Sequence, residues 1–299
     1  MYFMPYSMTK SIRHRNKVMT FDVPKVMGVL NMTPDSFSDG GRFNHLDAAL
    51  VHAEQMIAHG VDIIDIGGES TRPYAPKVST DEELERVIPI ITAIRENFGE
   101  DLWLSVDTSD PVVMLQAMGT GADIVNDVRG LSREGACDMV ANLGCPVVIM
   151  HSRGTPDTMT QTMNELTSYN DVLADVITEL QIRIDKAMAA GIGQEKIIID
   201  IGMGFSKNYE HHIQIMQNLQ QIIQHFKMPM LFGVSRKRFL GEILTNSGLE
   251  YLKNHQPIER DNLGTLAHFI ALQQGVHIVR VHDVKPMAQA VRLWQALYG

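Results

Sequence analysis

The chain has 299 residues, of which 44% are hydrophobic and 20% charged, the balance of a folded globular protein rather than a disordered one. Its 26 Lys and Arg against 35 Asp and Glu leave a net charge of −9, which argues against a general nucleic-acid surface but not against a local basic pocket for an anion. Cys137 and Cys145 are the only cysteines, too few for a disulfide framework and suited to a reducing compartment, and no apolar run approaches the roughly 20 residues of a membrane helix.

Residues 1–24 mix Met, aromatic and basic side chains with no apolar h-region, so they read as an extension or short hairpin before residues 25–299 rather than a secretory signal. Eight short apolar runs then follow: Val26–Asn31, Ile63–Gly67, Leu102–Asp107, Ile124–Val128, Pro146–His151, Ile197–Gly202, Pro229–Val234 and Ile278–Asp283. They are continuous rather than alternating, which is the pattern of strands covered on both faces. Helical patterns separate them. Leu46–His59 ends at Gly60, a C-cap position. Ser79-Thr-Asp-Glu82 is a capping box ahead of a stripe of Leu84, Val87, Ile88, Ile91 and Ile94, with Pro89 as a potential kink. Asp171–Ala190, Gln214–His225, Asn262–Gln274 and Met287–Leu297 complete the alternation. Eight β-runs alternating with helices predict a single (β/α)8 TIM barrel, with a doubly wound open sheet as the alternative.

Polar residues gather at the C-terminal ends of the runs: Asn31, the Gly67–Pro73 segment, Asp107, Asn126 with Asp127, His151, Asp200, the Gly233–Lys237 segment, and Arg280 with His282. In a barrel these ends converge on one face, where active sites are built. Arg72, Lys237, Arg280 and His282 suit a phosphorylated or carboxylated substrate. Asp107, Asn126 and Asp200 suit a nitrogen heterocycle with several N–H groups. Asn31 offers a hard oxygen for Mg²⁺ when phosphates and waters complete the coordination, and no HExxH or Cys/His cluster argues for zinc. The polar, Gly-rich stretch 32–41, with Phe37 at its centre, reads as a lid. The adjacent His211 and His212 cannot face one metal from a helix and read as surface residues, and the 19 methionines read as core filler.

Six stretches in order resemble the dihydropteroate synthase family, from about Val26 onward: Asn31–Gly41, Asp65–Pro73, Ser105–Thr108, Asn126-Asp127, Gly233–Lys237 and Arg280–Asp283. The resemblance implies that 6-hydroxymethyl-7,8-dihydropterin pyrophosphate and para-aminobenzoate are joined to 7,8-dihydropteroate, with release of pyrophosphate and with Mg²⁺. It implies that Asp107, Asn126, Asp200 and Lys237 hold the pterin beside Met150, with Asp107, Asp200 and Lys237 as the catalytic set. Arg280, His282 and Asn31 with its metal would hold the pyrophosphate. Phe37, Thr71, Arg72, Pro73, Phe205 and Ser235 would form the aminobenzoate site, which sulfonamides mimic. A cytoplasmic homodimer is the further expectation.

The chain departs from the family at Ile201, where Pro is usual, Met203, where Phe is common, Ser206, where Gly is common, and Tyr74, where Gly is usual. Ile201, Met203 and Ser206 are expected beside the pterin and aminobenzoate pockets. Two other readings compete. A methyltetrahydrofolate methyltransferase would keep a pterin pocket but has no need of a pyrophosphate site. A non-catalytic paralogue would be expected to lose Lys237, Asp107 or the loop motifs, all of which are present.

Overall fold

Parallel strands formed by the apolar runs close into a barrel in a computed structural model that describes residues 10–32, 42–69, 78–154, 163–248 and 256–299. An antiparallel hairpin of β1 (Ser11–His14) and β2 (Lys17–Thr20) precedes it. The barrel strands are β3 (Lys25–Asn31), β4 (Ile63–Gly67), β5 (Trp103–Asp107), β6 (Ile124–Asp127), β7 (Val147–Met150), β8 (Ile197–Asp200), β9 (Met230–Phe232) and β10 (Ile278–Val281). Each pairs with its neighbour in sequence, and β10 closes the ring against β3, so the open-sheet alternative is excluded.

The continuous apolar runs divide by parity once the strands are formed, because successive side chains leave a strand on opposite faces. One residue per strand enters the barrel floor: Met27, Ile63, Trp103, Ile124, Val148, Ile198, Leu231 and Ile278 make one buried cluster with Ile12, Met19 and Phe21 of the hairpin segment. The opposite parity, including Leu30, Ile66, Val106, Val125, Ile149, Ile199, Phe232 and Val281, packs outward in the cluster shared with the helices. The hairpin thus plugs the N-terminal mouth. Lys17 Nζ fixes it there by donating to Asp123 Oδ2 at 2.5 Å and to the carbonyls of Glu100 and Leu102.

The surrounding helices are α1 (Arg42–Ala58), α2 (Thr80–Phe98), α3 (Pro111–Thr120), α4 (Ala136–Leu143), α5 (Met163–Leu166), α6 (Val172–Ala189), α7 (Tyr209–Gln217), α8 (Leu219–Phe226), α9 (Arg238–Asn246), α10 (Asp261–Gln273) and α11 (Val284–Tyr298). Helix α2 begins at the Ser79–Glu82 capping box and runs through Pro89, which sits on the exposed face while Val87, Ile90, Ile91 and Ile94 are buried. The single helix expected over Gln214–His225 is two. They meet at Asn218, whose side chain donates to Gln214 O and accepts from Gln221 Nε2, offering the chain an alternative to helical pairing. Helix α11 starts at Val284, and Pro286 falls in its first turn, where a helix needs no N–H donor to a preceding turn. No helix among the described residues is long and apolar enough to cross a membrane.

Candidate active site

The same parity that fills the barrel floor builds the site above it. Two or four residues beyond six of the eight floor residues the inward side chain becomes polar: Asn31 after Met27, Asp65 after Ile63, Ser105 and Asp107 after Trp103, Asn126 after Ile124, Asp200 after Ile198, and Arg280 after Ile278. Met150, two beyond Val148, keeps an apolar inward position and is buried. Strand register sets their heights, because Asn31 lies opposite Gly67, Gly67 opposite Asp107, and Asp107 opposite Asn126. Met150 lies opposite Asp200.

Arg280 is the hub. Its Nε donates to Asp65 Oδ2 at 2.6 Å and its Nη2 to Asp107 Oδ2 at 2.8 Å. Asn126 Nδ2 donates to the same Asp65 oxygen at 3.0 Å, so one buried carboxylate orients both the arginine and the amide. Asp65 is the residue that sequence reasoning passed over. The available signal was its parity, which it shares with Ile63 and Gly67. Burial raises the Asp107 carboxyl above its ordinary range; Arg280 opposes this, while Asp65, Glu83 and Asp127 reinforce it. Burial likewise raises Asp200, against the Gly202 N–H, which donates to Asp200 Oδ1 at 2.7 Å, and the charges of Lys237, Arg280 and Lys207.

Lys237 approaches from the turn after β9. The Val234 N–H donates to His268 Nε2 at 3.2 Å, and Arg236 makes two bonds of 2.9 and 2.8 Å to Asp261, pinning the turn to α10. Lys237 Nζ lies 4.3 Å from the centre of the Phe205 ring. Burial and the Arg280 charge pull it down to about 8, while Asp200 and Asp107 hold it up. Its approach requires Gly204, whose φ is +84° and where a Cβ would lie 2.7 Å from Lys237 Cδ. Gly202 is equally constrained, since a Cβ there would run into the His151 carbonyl. Ser235 Oγ accepts the His282 N–H at 3.2 Å and lies 3.0 Å from His282 Nδ1, which brings together residues expected in different subsites.

Behind Asp200 lies a network that the sequence did not reveal. Lys207 Nζ donates to Gly202 O, Phe205 O and His151 Nδ1 at 3.0, 3.1 and 3.0 Å. His151 Nε2 lies 3.1 Å from Glu179 Oε2, and Arg153 grips Glu179 while its guanidinium stacks 3.7 Å from the centre of the Tyr169 ring.

The three described departures from the family pattern, Ile201, Met203 and Ser206, lie in the core or in loop contacts behind Asp200. Ile201 and Met203 point outward into the helix-facing core, because each follows an inward or loop position by one residue. Ser206 Oγ accepts the Arg153 N–H at 3.1 Å and donates to Arg153 O at 2.5 Å, tying two loops together. The reading of His212 as a surface residue is also corrected. It is buried, stacks on Phe239 with ring centres 4.6 Å apart, and its Nε2 accepts the Gly204 N–H at 2.8 Å. Its neighbour His211, about 100° around the helix, turns instead to the start of α7, where its Nδ1 accepts the Asn208 N–H. Phe37, Thr71, Arg72, Pro73 and Tyr74 lie outside the described residues.

Residues 27–282 match the pterin-binding enzyme family. The dihydropteroate synthase of Haemophilus influenzae is 43% identical over 282 residues, which are 94% of this chain and 96% of that relative. A Xanthomonas albilineans dihydropteroate synthase solved with 4-aminobenzoic acid superposes with a TM-score of 0.86 at 39% identity, covering 97% of this chain and 98% of that one. The same enzyme solved in complex with 7,8-dihydropteroate superposes with a TM-score of 0.83 at 38% identity, covering 96% and 98%. With this barrel and this set of inward polar residues, the chain belongs to the pterin-binding enzymes and, among them, to the dihydropteroate synthases.

Proposed function

We propose that the chain joins 6-hydroxymethyl-7,8-dihydropterin pyrophosphate to para-aminobenzoate, giving 7,8-dihydropteroate and pyrophosphate, a step of folate biosynthesis. The observation that carries this reading is the convergence of Asp107, Asn126, Asp200, Lys237 and Arg280 within one buried electrostatic field at the barrel mouth.

The carboxylates of Asp107 and Asp200, the Asn126 amide and Lys237 supply acceptors and donors for the edge of the pterin, and Met150 supplies an apolar wall. The aromatic amine is neutral near pH 7 and needs no base to begin. The bond between the pterin methylene and the pyrophosphate oxygen breaks with its electron pair leaving on the phosphate. Positive charge then grows on the methylene and spreads into the ring, where Asp107 and Asp200 are of the right sign to stabilise it. The amine lone pair forms the new C–N bond, and the amine loses a proton. This order favours an SN1-like path.

Arg280 and His282, with Asn31, are assigned to the pyrophosphate. The pairing of Arg280 with Asp65 and Asp107 uses two of its five donors, so the guanidinium can bridge the Asp107 carboxylate and an anion. Asn31 is a half-buried amide at the end of β3, and no group of three His, Cys, Asp or Glu side chains arranged for a metal exists among the described residues. That donor set fits an Mg²⁺ carried by phosphate oxygens and waters, with Asn31 as its protein ligand. When bound, the ion supplies charge neutralisation at the leaving group. Phe37, Thr71, Arg72, Pro73, Phe205 and Ser235 are assigned to aminobenzoate.

Exposed Ile258 and Leu266 and Ile270 of α10, beside Leu293 and Leu297 of α11, support pairing of two copies through these helices. The two free, buried cysteines support a cytoplasmic location. The deciding experiment is pyrophosphate release with both substrates, with and without Mg²⁺. Release that requires aminobenzoate is expected; a protein that binds pterin yet releases nothing is a paralogue without the activity.

A further inference from the structure

We propose that Lys207 is a positioning residue for the aminobenzoate end of the site: one buried ammonium group holds the 202–205 turn, and with it Phe205, against the end of β7. The inference rests on the assignment of Phe205 to aminobenzoate made above.

Burying an ammonium is costly unless its donors are matched. Here they are. Nζ reaches Gly202 O, Phe205 O and His151 Nδ1, three acceptors for three N–H groups. The ring nitrogen must be an acceptor, because His151 Nε2 faces the Glu179 carboxylate at 3.1 Å and therefore carries the proton. Burial also keeps the imidazole neutral, which preserves that arrangement. Burial pulls the ammonium down to about 7 while Asp200 and Glu179 hold it up; a neutral amine has only two N–H groups for these three acceptors, so the hydrogen bonds favour the charged form.

The turn that this group holds has one backbone bond of its own, from the Phe205 N–H to Gly202 O at 3.1 Å, and a bond from the Gly204 N–H to His212 Nε2. Gly202 and Gly204 take left-handed φ values of +65° and +84°, and Ser206 takes +49°. Lys207 Nζ adds a second donor to Gly202 O and a donor to Phe205 O, joining both ends of the turn to His151. The ring of Phe205, in turn, lies against Lys237. Asp200 is less dependent on the turn, because strand pairing on both sides of β8 fixes its backbone, and Lys207 acts on its carboxylate only behind Lys237 and Arg280. Lys207 thus acts on aminobenzoate through Phe205, without touching either substrate.

The test is steady-state kinetics of Lys207→Met and Lys207→Arg, with Val291→Ala, a buried residue of α11, which packs on β3, as a control for lost stability. Methionine removes the donors. Arginine keeps the charge, but its planar fork cannot place three donors at one point. In both, KM for aminobenzoate should rise on the order of tenfold, with kcat and the KM for the pterin pyrophosphate within about threefold of wild type. Val291→Ala should lower the melting temperature and leave both KM values alone. An unchanged aminobenzoate KM in either folded Lys207 variant overturns the proposal. So does an equal rise in both KM values, or failure of both variants to fold, since either result makes the role purely structural. Phe205→Ala separates the two levels of inference. If it leaves the aminobenzoate KM unchanged, the site assignment fails; if it raises that KM while the Lys207 variants do not, only the positioning role fails.

Discussion

Asp107→Asn separates charge from shape at the centre of the site. Asparagine keeps the volume and can still accept from Arg280 Nη2, which lies 2.8 Å from Asp107 Oδ2, and Arg280 keeps its 2.6 Å bond to Asp65. The frame should persist. Stability should change little, because the lost attraction to Arg280 is offset by relief from Asp65, Glu83 and Asp127, all of which crowd the same carboxylate. Turnover should not survive so well. A hydrogen bond to a charged group contributes about 1.5–3 kcal/mol, and at about 1.4 kcal/mol per decade this is a loss of roughly 10- to 100-fold in rate. The growing pterin cation adds a through-space share, so the upper end is expected. The assay is kcat from pyrophosphate release, with a urea midpoint to certify the fold. The loss should also shrink toward acid pH. Burial raises the Asp107 pKa, so as pH falls through that value the wild-type side chain is itself neutralised and the two proteins converge. Turnover within about threefold of wild type at alkaline pH, above the raised Asp107 value of about 7, would refute the role assigned to this carboxylate.

Arg280→Met leaves Asp65 and Asp107 buried without their cation, a change that costs about 3–5 kcal/mol in comparable buried pairs; calorimetry should show pterin pyrophosphate binding weakened more than free pterin, and equal losses would remove Arg280 from the anion site. Gly204→Ala forces a side chain into a left-handed conformation, at about 1–2 kcal/mol, and into Lys237 Cδ at 2.7 Å; the urea midpoint should fall and pterin affinity with it, and unchanged affinity would show that Lys237 does not depend on this glycine. Acid should destabilise the fold through the buried neutral histidines: burial lowers His151 and His277 to about 3 and His268 to about 4. Between their ordinary value near 6.5 and those values the unfolded chain binds protons that the folded one refuses, so stability is present above about 6.5 and lost as pH falls. Each ring accounts for up to about 1.4 kcal/mol per pH unit. Glu83, raised to about 7, and the raised Asp62, Asp107, Asp127 and Asp200 shift in the opposite sense, but they oppose seven lowered histidines, with His212 brought down to about 4 as well and His14, His52 and His211 lowered too. A urea midpoint that holds or rises between pH 7 and pH 5 would contradict this balance.

The sequence by itself determined the barrel, its strand order and most of the inward polar set that forms the candidate site. Eight β-runs with polar ends carry that information locally, because a strand's two-residue period and the convergence of parallel strand ends follow from backbone geometry alone. Asn31, Asp107, Asn126, Asp200 and Arg280 all lie on the inward parity that a strand starting at its floor residue imposes. Tertiary structure decided what the local pattern cannot express. Ile201 and Met203 sit among site residues in sequence yet face the helices. His211 and His212 are chemically identical neighbours, and only the packing of α7 against α9 buries one of them. Asp65 and Lys207 acquire their roles from partners 215 and 56 residues away, Arg280 and His151. No periodicity announces such partners. A buried charge is tolerated only where distant segments deliver matching donors and acceptors, and that match exists only once the barrel has closed.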